Sequence, residues 1–213
     1  MSRLSDVPLV PPVADGEALR IGVLASQGDF AAHVQMLAAL GADAFEVRAP
    51  ADLEALDALV IPGGESTTIA KAIERDGLES GIRAHHASGR PILGTCAGMI
   101  LCGRDHLSLL DATCRRNAFG RQLASFEADL EVEGLGPEPL RAVFIRAPWI
   151  ESHGSGVEVL ASIDDHPVVV RDGPVLACSF HPELSDDSRI HAMLMAMATT
   201  AQATAAPSSR NGS

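Results

Sequence analysis

Aromatic side chains and positive charge are what this sequence has least of. One Trp, no Tyr and six Phe are spread over 213 residues, and 16 Lys and Arg stand against 28 Asp and Glu, a formal charge of −12. A nucleic-acid binder needs a basic face and stacking platforms, and this composition offers neither. No apolar run approaches the ~20 residues of a bilayer-spanning helix. The opening stretch MSRLSDVPLVPPVADGEA lacks the basic-then-apolar order of a signal peptide. The expected location is therefore the cytoplasm, with no membrane and no nucleic acid as partners. The four cysteines, Cys96, Cys102, Cys114 and Cys178, form no C-x-x-C pair, so neither a zinc knuckle nor a disulfide framework is indicated.

What is present suits one well-filled core, since 46% of the residues are hydrophobic. Residues 1–18, with Pro11-Pro12 and no periodicity, read as a loosely ordered extension, 19–198 as a single domain, and the Ala/Ser/Thr-rich stretch 199–213 as a disordered tail. Within the domain, apolar runs of strand length begin at Arg20, Ala44, Asp57 and Pro91, with helical stretches between them. Asp29 is placed to cap the first helix, in which Phe30, Val34, Leu37 and Leu40 recur at helical spacing before Gly41. This alternation predicts an α/β fold of three layers: a mainly parallel, mixed central sheet flanked by helices. Beyond Asp111 the stretch 115–122 turns polar and irregular. Alternation over 125–132 and 142–147 then predicts antiparallel or mixed strands at one side. Two short strands follow, Val157–Leu160 and Val168–Arg171, then an apolar strand into His181, and a last helix from Asp187 to about Ala198.

Three stretches carry chemistry. Gly94-Thr95-Cys96-Ala97-Gly98 has a strand before it and a helix after it, the pattern of a nucleophile elbow with sulfur for oxygen. The helix amino terminus favours an anionic sulfur there. A small hydrophobe at a strand–helix turn would use the same residues, so the reading depends on a base. His181 and Glu183 supply one, an imidazole with a carboxylate two residues on. The other seven histidines, His33 and His191 among them, read as structural or solvated. Third, Gly63-Gly64-Glu65-Ser66-Thr67-Thr68 is not a Walker A loop. It reads either as a tight turn with Ser66 as helix cap or as a cradle of backbone N–H groups for an anion on the elbow's rim. The arginines near 115–121 are either a solvated edge or a grip on a carboxylate.

An elbow cysteine followed by His-x-Glu resembles the class I, triad-type glutamine amidotransferases, of flavodoxin-like architecture. The resemblance narrows with QGDF at 27–30, PGGESTT at 62–68, GTCAG at 94–98, RNAFGRQ at 116–122, FIRAP at 144–148 and SFHPEL at 179–184. In that order these motifs are similar to those of the glutaminase subunit of pyridoxal 5′-phosphate synthase, the PdxT/SNO family, over about residues 20–198. The resemblance implies hydrolysis of L-glutamine to glutamate and ammonia. It also implies delivery of the ammonia to a PdxS/SNZ-type synthase subunit, with twelve glutaminase subunits on a dodecameric synthase core. Cys96, His181 and Glu183 would be the catalytic triad, Gly64, Glu65, Ser66, Arg116, Ile145 and Arg146 the glutamine-binding residues, and the backbone N–H groups of Ala97 and Gly64 the oxyanion hole. Arg116 and Arg146 are both candidates for the substrate carboxylate. Such chemistry calls for no cofactor and no metal. Ser26 departs from the family, where an apolar residue is expected before QGD. The competing readings are the same glutaminase serving another acceptor, a scaffold that no longer turns over, and a stand-alone cysteine peptidase.

Overall fold

A computed structural model describes residues 18–116, 118 and 125–205. The stretch 1–17, most of the RNAFGRQ motif and 206–213 lie outside the described residues. The chain begins with β1 (Arg20–Leu24), α1 (Phe30–Ala39), β2 (Asp43–Val47), β3 (Ala58–Ile61), α2 (Ser66–Arg75), α3 (Glu79–Ala87), β4 (Ile92–Thr95) and α4 (Ala97–Cys102). It continues with β5 (Ala112–Arg115), β6 (Ser125–Leu130), β7 (Leu140–Ile145), β8 (Trp149–His153), β9 (Glu158–Ile163), β10 (His166–Asp172), β11 (Val175–Cys178) and α5 (Arg189–Ala205).

Seven strands form the central sheet in the order β2-β1-β3-β4-β11-β10-β9. The first five run parallel; β10 is antiparallel to β11, and β9 to β10. The strands are apolar throughout because both faces are covered. Ala58 and Val60 of β3, with Leu176 and Cys178 of β11, face one core, where Leu37 of α1 and Ile190 and Leu194 of α5 meet them. Leu59 and Ile61, with Val175 and Ala177, face the other, against Ile69 and Ile73 of α2, Ile82 of α3 and Met99 of α4. Period-two alternation has therefore become an unbroken apolar run.

Most of the irregular stretch 115–122 lies outside the described residues, and the strands on either side of it form two small sheets. β5 pairs antiparallel with β8, and β6 with β7. The short β5 was not expected, since its sequence Ala-Thr-Cys-Arg shows no clear alternation. The β6–β7 hairpin packs on the central sheet through Phe144, whose ring stacks on Phe126 at 4.6 Å and meets Phe180 edge-on at 5.5 Å. Arg189 staples the loop of that hairpin to the start of α5. Its guanidinium holds the Asp187 carboxylate and donates to the carbonyls of Leu135, Glu138 and Pro139 at 3.2, 2.7 and 2.9 Å.

Two expectations need correction. The last helix does not stop near Ala198 but runs to Ala205, into the stretch expected to be a disordered tail. The polar side chains there pair within the helix: Thr199, Thr200 and Thr204 donate to the carbonyls four residues back, and Gln202 Nε2 reaches Asp57 Oδ1 at 2.8 Å. The intervening alanines are good helix formers. Second, the cap of α2 is Glu65, not Ser66. Its carboxylate accepts from the Thr67 and Thr68 amides at 3.1 and 2.8 Å, while Ser66 Oγ is buried without a hydrogen-bond partner among the described residues.

Helix α4 lies so close to β3 that a Cβ at Gly98 would stand 1.8 Å from the Ile61 carbonyl oxygen. Backbone cannot yield as a side chain can, so Gly98→Ala is expected to cost at least ~3 kcal/mol, the upper part of the range for overpacking. Urea unfolding would measure it; a loss within experimental error would show that the α4–β3 approach is adjustable.

Candidate active site

The site is built where β3, β4 and β11 end on one rim. The elbow lies at the middle of it. The Cys96 amide donates to the Cys178 carbonyl at 2.8 Å, tying the end of β4 to its neighbour β11, and the Cys96 carbonyl accepts from Met99 as α4 begins. Between these bonds Cys96 takes φ 49° and ψ −107°. A positive φ is strained for a side chain with a Cβ, at roughly 1–3 kcal/mol, and that backbone lifts the sulfur out of both helix and strand. Cys96 is 7% exposed, and its Sγ lies 3.8 Å from the Ile145 carbonyl oxygen at the end of β7. The other cysteines are set apart from this role. Burial pushes the Cys102 and Cys114 thiols up to about 12 and Cys178 well above the ordinary thiol range.

His181 and Glu183 come from the segment after β11. The strand ends at Cys178, earlier than its apolar run suggests, so strand alternation does not bring the two side chains together. A single 3-10 turn, Pro182–Leu184, does. His181 is anchored by its amide, which donates to the Val143 carbonyl of β7 at 2.9 Å. Its Nδ1 lies 2.8 Å from Glu183 Oε1. Burial works against an imidazolium here, but hydrogen bonds to the Cys96 sulfur and to Glu183 outweigh it, and His181 is held up at about 10. Burial likewise works against the Glu183 carboxylate, and hydrogen bonds from His181 and His33 hold it down at about 2. The arrangement can carry a nucleophilic sulfur, a proton shuttle and a fixed acceptor behind the shuttle.

Gly63 closes the site on the β3 side. A Cβ there would stand 2.5 Å from His181 Cε1 and 3.3 Å from Cys96 Cβ, so only glycine lets this loop approach both. Gly64 follows at φ 148°, and the Glu65 amide donates to Gln27 Oε1 at 3.2 Å, joining this loop to the one after β1. Glu65 does more than cap α2: its Oε1 meets Arg116 Nη2 at 2.9 Å. The Thr68 hydroxyl first, then the Thr67 and Thr68 amides, hold its carboxyl down at about 2. Ala97 is the first residue of α4. Arg146 has φ 46°, after Cys96 the second positive value at a non-glycine residue of the rim, directly after Ile145.

Thus Gly64, Glu65, Ser66, Ala97, Cys96, Ile145, Arg146, His181 and Glu183 all lie on segments at this rim, and Arg116 reaches it through Glu65. Sequence reasoning missed two buried partners. His33 of α1 places Nε2 3.2 Å from Glu183 Oε2, and His191 of α5 lies 2.8 Å behind it. Their signal was present: each occupies a core-facing position of its helix, where an ionisable residue needs a partner.

Residues 23–200 match the model of the SNO glutamine amidotransferase family. The chain is similar to subunit PdxT of pyridoxal 5′-phosphate synthase from Parafrankia sp., at 52% identity over 187 residues, 84% of this chain and 92% of that one. The Thermus thermophilus subunit of the same name is 52% identical over 187 residues, covering 84% and 97%. Among solved structures, a glutamine amidotransferase superposes with a TM-score of 0.78 at 49% identity, covering 84% of this chain and 98% of its own. The PurLQS structure from Thermotoga maritima reaches 0.67 at 18% identity over 88% and 99%, a likeness of fold alone.

The ion pair has a signature in stability. His181 stands above its ordinary 6.5, so its contribution is complete below that value and is lost as pH rises through about 10. Glu183 stands below its ordinary 4.5, so its contribution is complete above 4.5 and is lost as pH falls through about 2. Urea unfolding between pH 6.5 and 10 is expected to show stability falling with pH, with a shallower slope in His181→Gln. Identical slopes would assign the loss to other groups.

Proposed function

The chain belongs to the SNO glutamine amidotransferase family, and we propose that it works there as the glutaminase subunit of pyridoxal 5′-phosphate synthase through the triad Cys96, His181 and Glu183. It hydrolyses L-glutamine to glutamate and ammonia. The observation that carries the triad is the partly buried pairing of His181 Nδ1 with Glu183 Oε1 at 2.8 Å, beside a cysteine held on an elbow.

The steps follow from the atoms. Glu183 accepts a hydrogen bond from Nδ1–H, which leaves Nε2 of His181 to work on the sulfur side. The Cys96 thiolate attacks the side-chain amide carbon of glutamine, and the carbonyl oxygen becomes an oxyanion. Backbone N–H groups of Ala97 and Gly64 receive it, each worth about 3 kcal/mol in the transition state. His181 gives its Nε2 proton to the departing nitrogen, so ammonia leaves and a thioester remains. A water then gives a proton to His181 and attacks the thioester through a second oxyanion; Cys96 departs as thiolate and glutamate is released. The amino-acid end of the substrate is held by Gly64, Glu65, Ser66, Arg116, Ile145 and Arg146.

Ammonia released into water would protonate and diffuse away, which supports a partner that takes it directly. That partner is a PdxS/SNZ-type synthase subunit, in an assembly of twelve glutaminase subunits around a dodecameric core, working in the cytoplasm. Docking raises a low basal activity by completing the oxyanion site beside Gly63 and Gly64.

Glutamate release by the purified chain, with and without a synthase subunit, tests this reading. Activity is expected to rise on addition of the synthase and to fall ~10⁴-fold or more in Cys96→Ala; glutaminase activity retained in that variant would remove the triad assignment. Arg116→Met and Arg146→Met separate the two cations. The one that binds the substrate carboxylate is expected to raise KM ~10- to 100-fold, the worth of a charged hydrogen bond. An unchanged KM in both would place the carboxylate elsewhere.

A further inference from the structure

Behind the carboxylate of Glu183 lies a row of buried groups that the triad steps do not use. His33 and His191 are both fully buried. Nε2 of His33 lies 3.2 Å from Glu183 Oε2 and 3.4 Å from Thr95 Oγ1, and its Nδ1 lies 2.8 Å from His191 Nε2. The two rings are 5.1 Å apart and tilted at 49°. Three elements therefore converge on one carboxylate: the turn after β11, α1 and, through His33, α5.

The direction of the protons can be worked out. An ionised carboxylate only accepts, so Glu183 needs donors at both oxygens. His181 supplies one; the other oxygen, Oε2, closes no hydrogen bond among the described residues, and His33 Nε2, 3.2 Å away, is the group placed to supply it when it carries N–H. His191 is held neutral, pushed down to about 3 chiefly by burial, so it carries a single ring proton. Its Nδ1 is buried without a hydrogen-bond partner among the described residues. A proton there would be an orphaned donor, the rarest of buried polar groups, whereas on Nε2 it is donated to His33 Nδ1. The row thus runs from His191 to His33 to Glu183 and meets His181 from the other side.

Such a row has a mechanical consequence. The terminal torsion of a glutamate is broad, so one hydrogen bond, to His181, leaves the plane of the carboxylate undetermined. A second donor on the opposite oxygen fixes it. That plane aims the His181 ring at Cys96, while the approach of His33 to Thr95 ties the same histidine to the residue before the nucleophile.

We propose that His33 is a positioning residue of the glutaminase, orienting Glu183 and through it His181, with His191 setting the tautomer of His33. The proposal rests on the triad reading above. A histidine that merely filled the core would affect stability and not turnover, and the test separates the two.

Variants His33→Leu, His33→Gln and His33→Asn are compared in the full chain with its synthase partner, reading kcat, KM, the melting temperature and the rate at which iodoacetamide alkylates Cys96. The Gln amide nitrogen can stand where Nε2 stood, and the shorter Asn amide cannot. His33→Leu and His33→Asn are expected to lower kcat ~10- to 100-fold, the usual scale for a lost orienting hydrogen bond, with KM for glutamine nearly unchanged. His33→Gln recovers most of the loss, and Cys96 alkylation follows the same order. A folded His33→Leu with unaltered kcat and alkylation overturns the proposal. If His33→Leu does not fold, the amide pair decides, and equal kcat in His33→Gln and His33→Asn overturns it. The alkylation rate needs no glutamine, so an unmodified chain that releases no glutamate would sink the proposed function while the positioning role is still read at Cys96.

Discussion

A carboxylate kept charged in the interior is the constraint from which the site is arranged. Glu183 is 7% exposed yet held ionised, and an unpaired charge at that depth would lose several kcal/mol of hydration. The groups at its two oxygens come from far apart in the chain: His181 two residues away and His33 in α1, with His191 of the last helix behind His33. The pair with His181 is local, but the His33 side is in place only once α1, α5 and the segment after β11 are docked. The polar row therefore selects the fully assembled fold over partly packed alternatives, and the triad geometry comes with the closure of the domain.

The sheet order makes the rest of the geometry follow. β4 and β11 are neighbours, so the elbow and the histidine segment leave adjacent strands at the same rim, and one hydrogen bond from Cys96 to Cys178 fixes their relative height. The strained φ of Cys96 is tolerated because that bond and the tight seat of α4 under Gly98 leave the backbone no other path. Gly63 then brings the third loop within contact distance of both reactive side chains. The β6–β7 hairpin, distant in sequence, supports the site through the Val143 carbonyl under His181 and the aromatic packing of Phe144 on Phe180.

Much of this was legible in the residues. Strands covered on both faces print as unbroken apolar runs, which is why β1, β3, β4 and β11 could be read directly, and the glycines around Cys96 mark a turn that few other residues can make. The less legible features depend on partners far apart in the chain. His33 and His191 look like any two of eight histidines until topology brings them together at Glu183. Glu65 was passed over as the α2 cap because Ser is the commoner cap. The last turns of α5 looked like a tail because Thr and Gln are polar; their local bonding to carbonyls and to Asp57 is invisible in composition.

The site divides into two halves with different exchangeability. Glu183 is buried and His181 partly buried, and neither can leave its partner without stranding a charge. The pair Glu65–Arg116 is about half exposed, with side-chain exposures of 46% and 52%, where an ion pair contributes only ~0–1 kcal/mol. Under the proposed function, Arg116, one of the two candidates for the substrate carboxylate, can release the Glu65 carboxylate at little cost. Glu65 loses little in return, since the Thr67 and Thr68 groups that hold its charge stay in place. A weakly paired half set beside a fixed one suits the function proposed above, in which a small zwitterion is admitted and released at every turnover while Cys96 and His181 stay aligned.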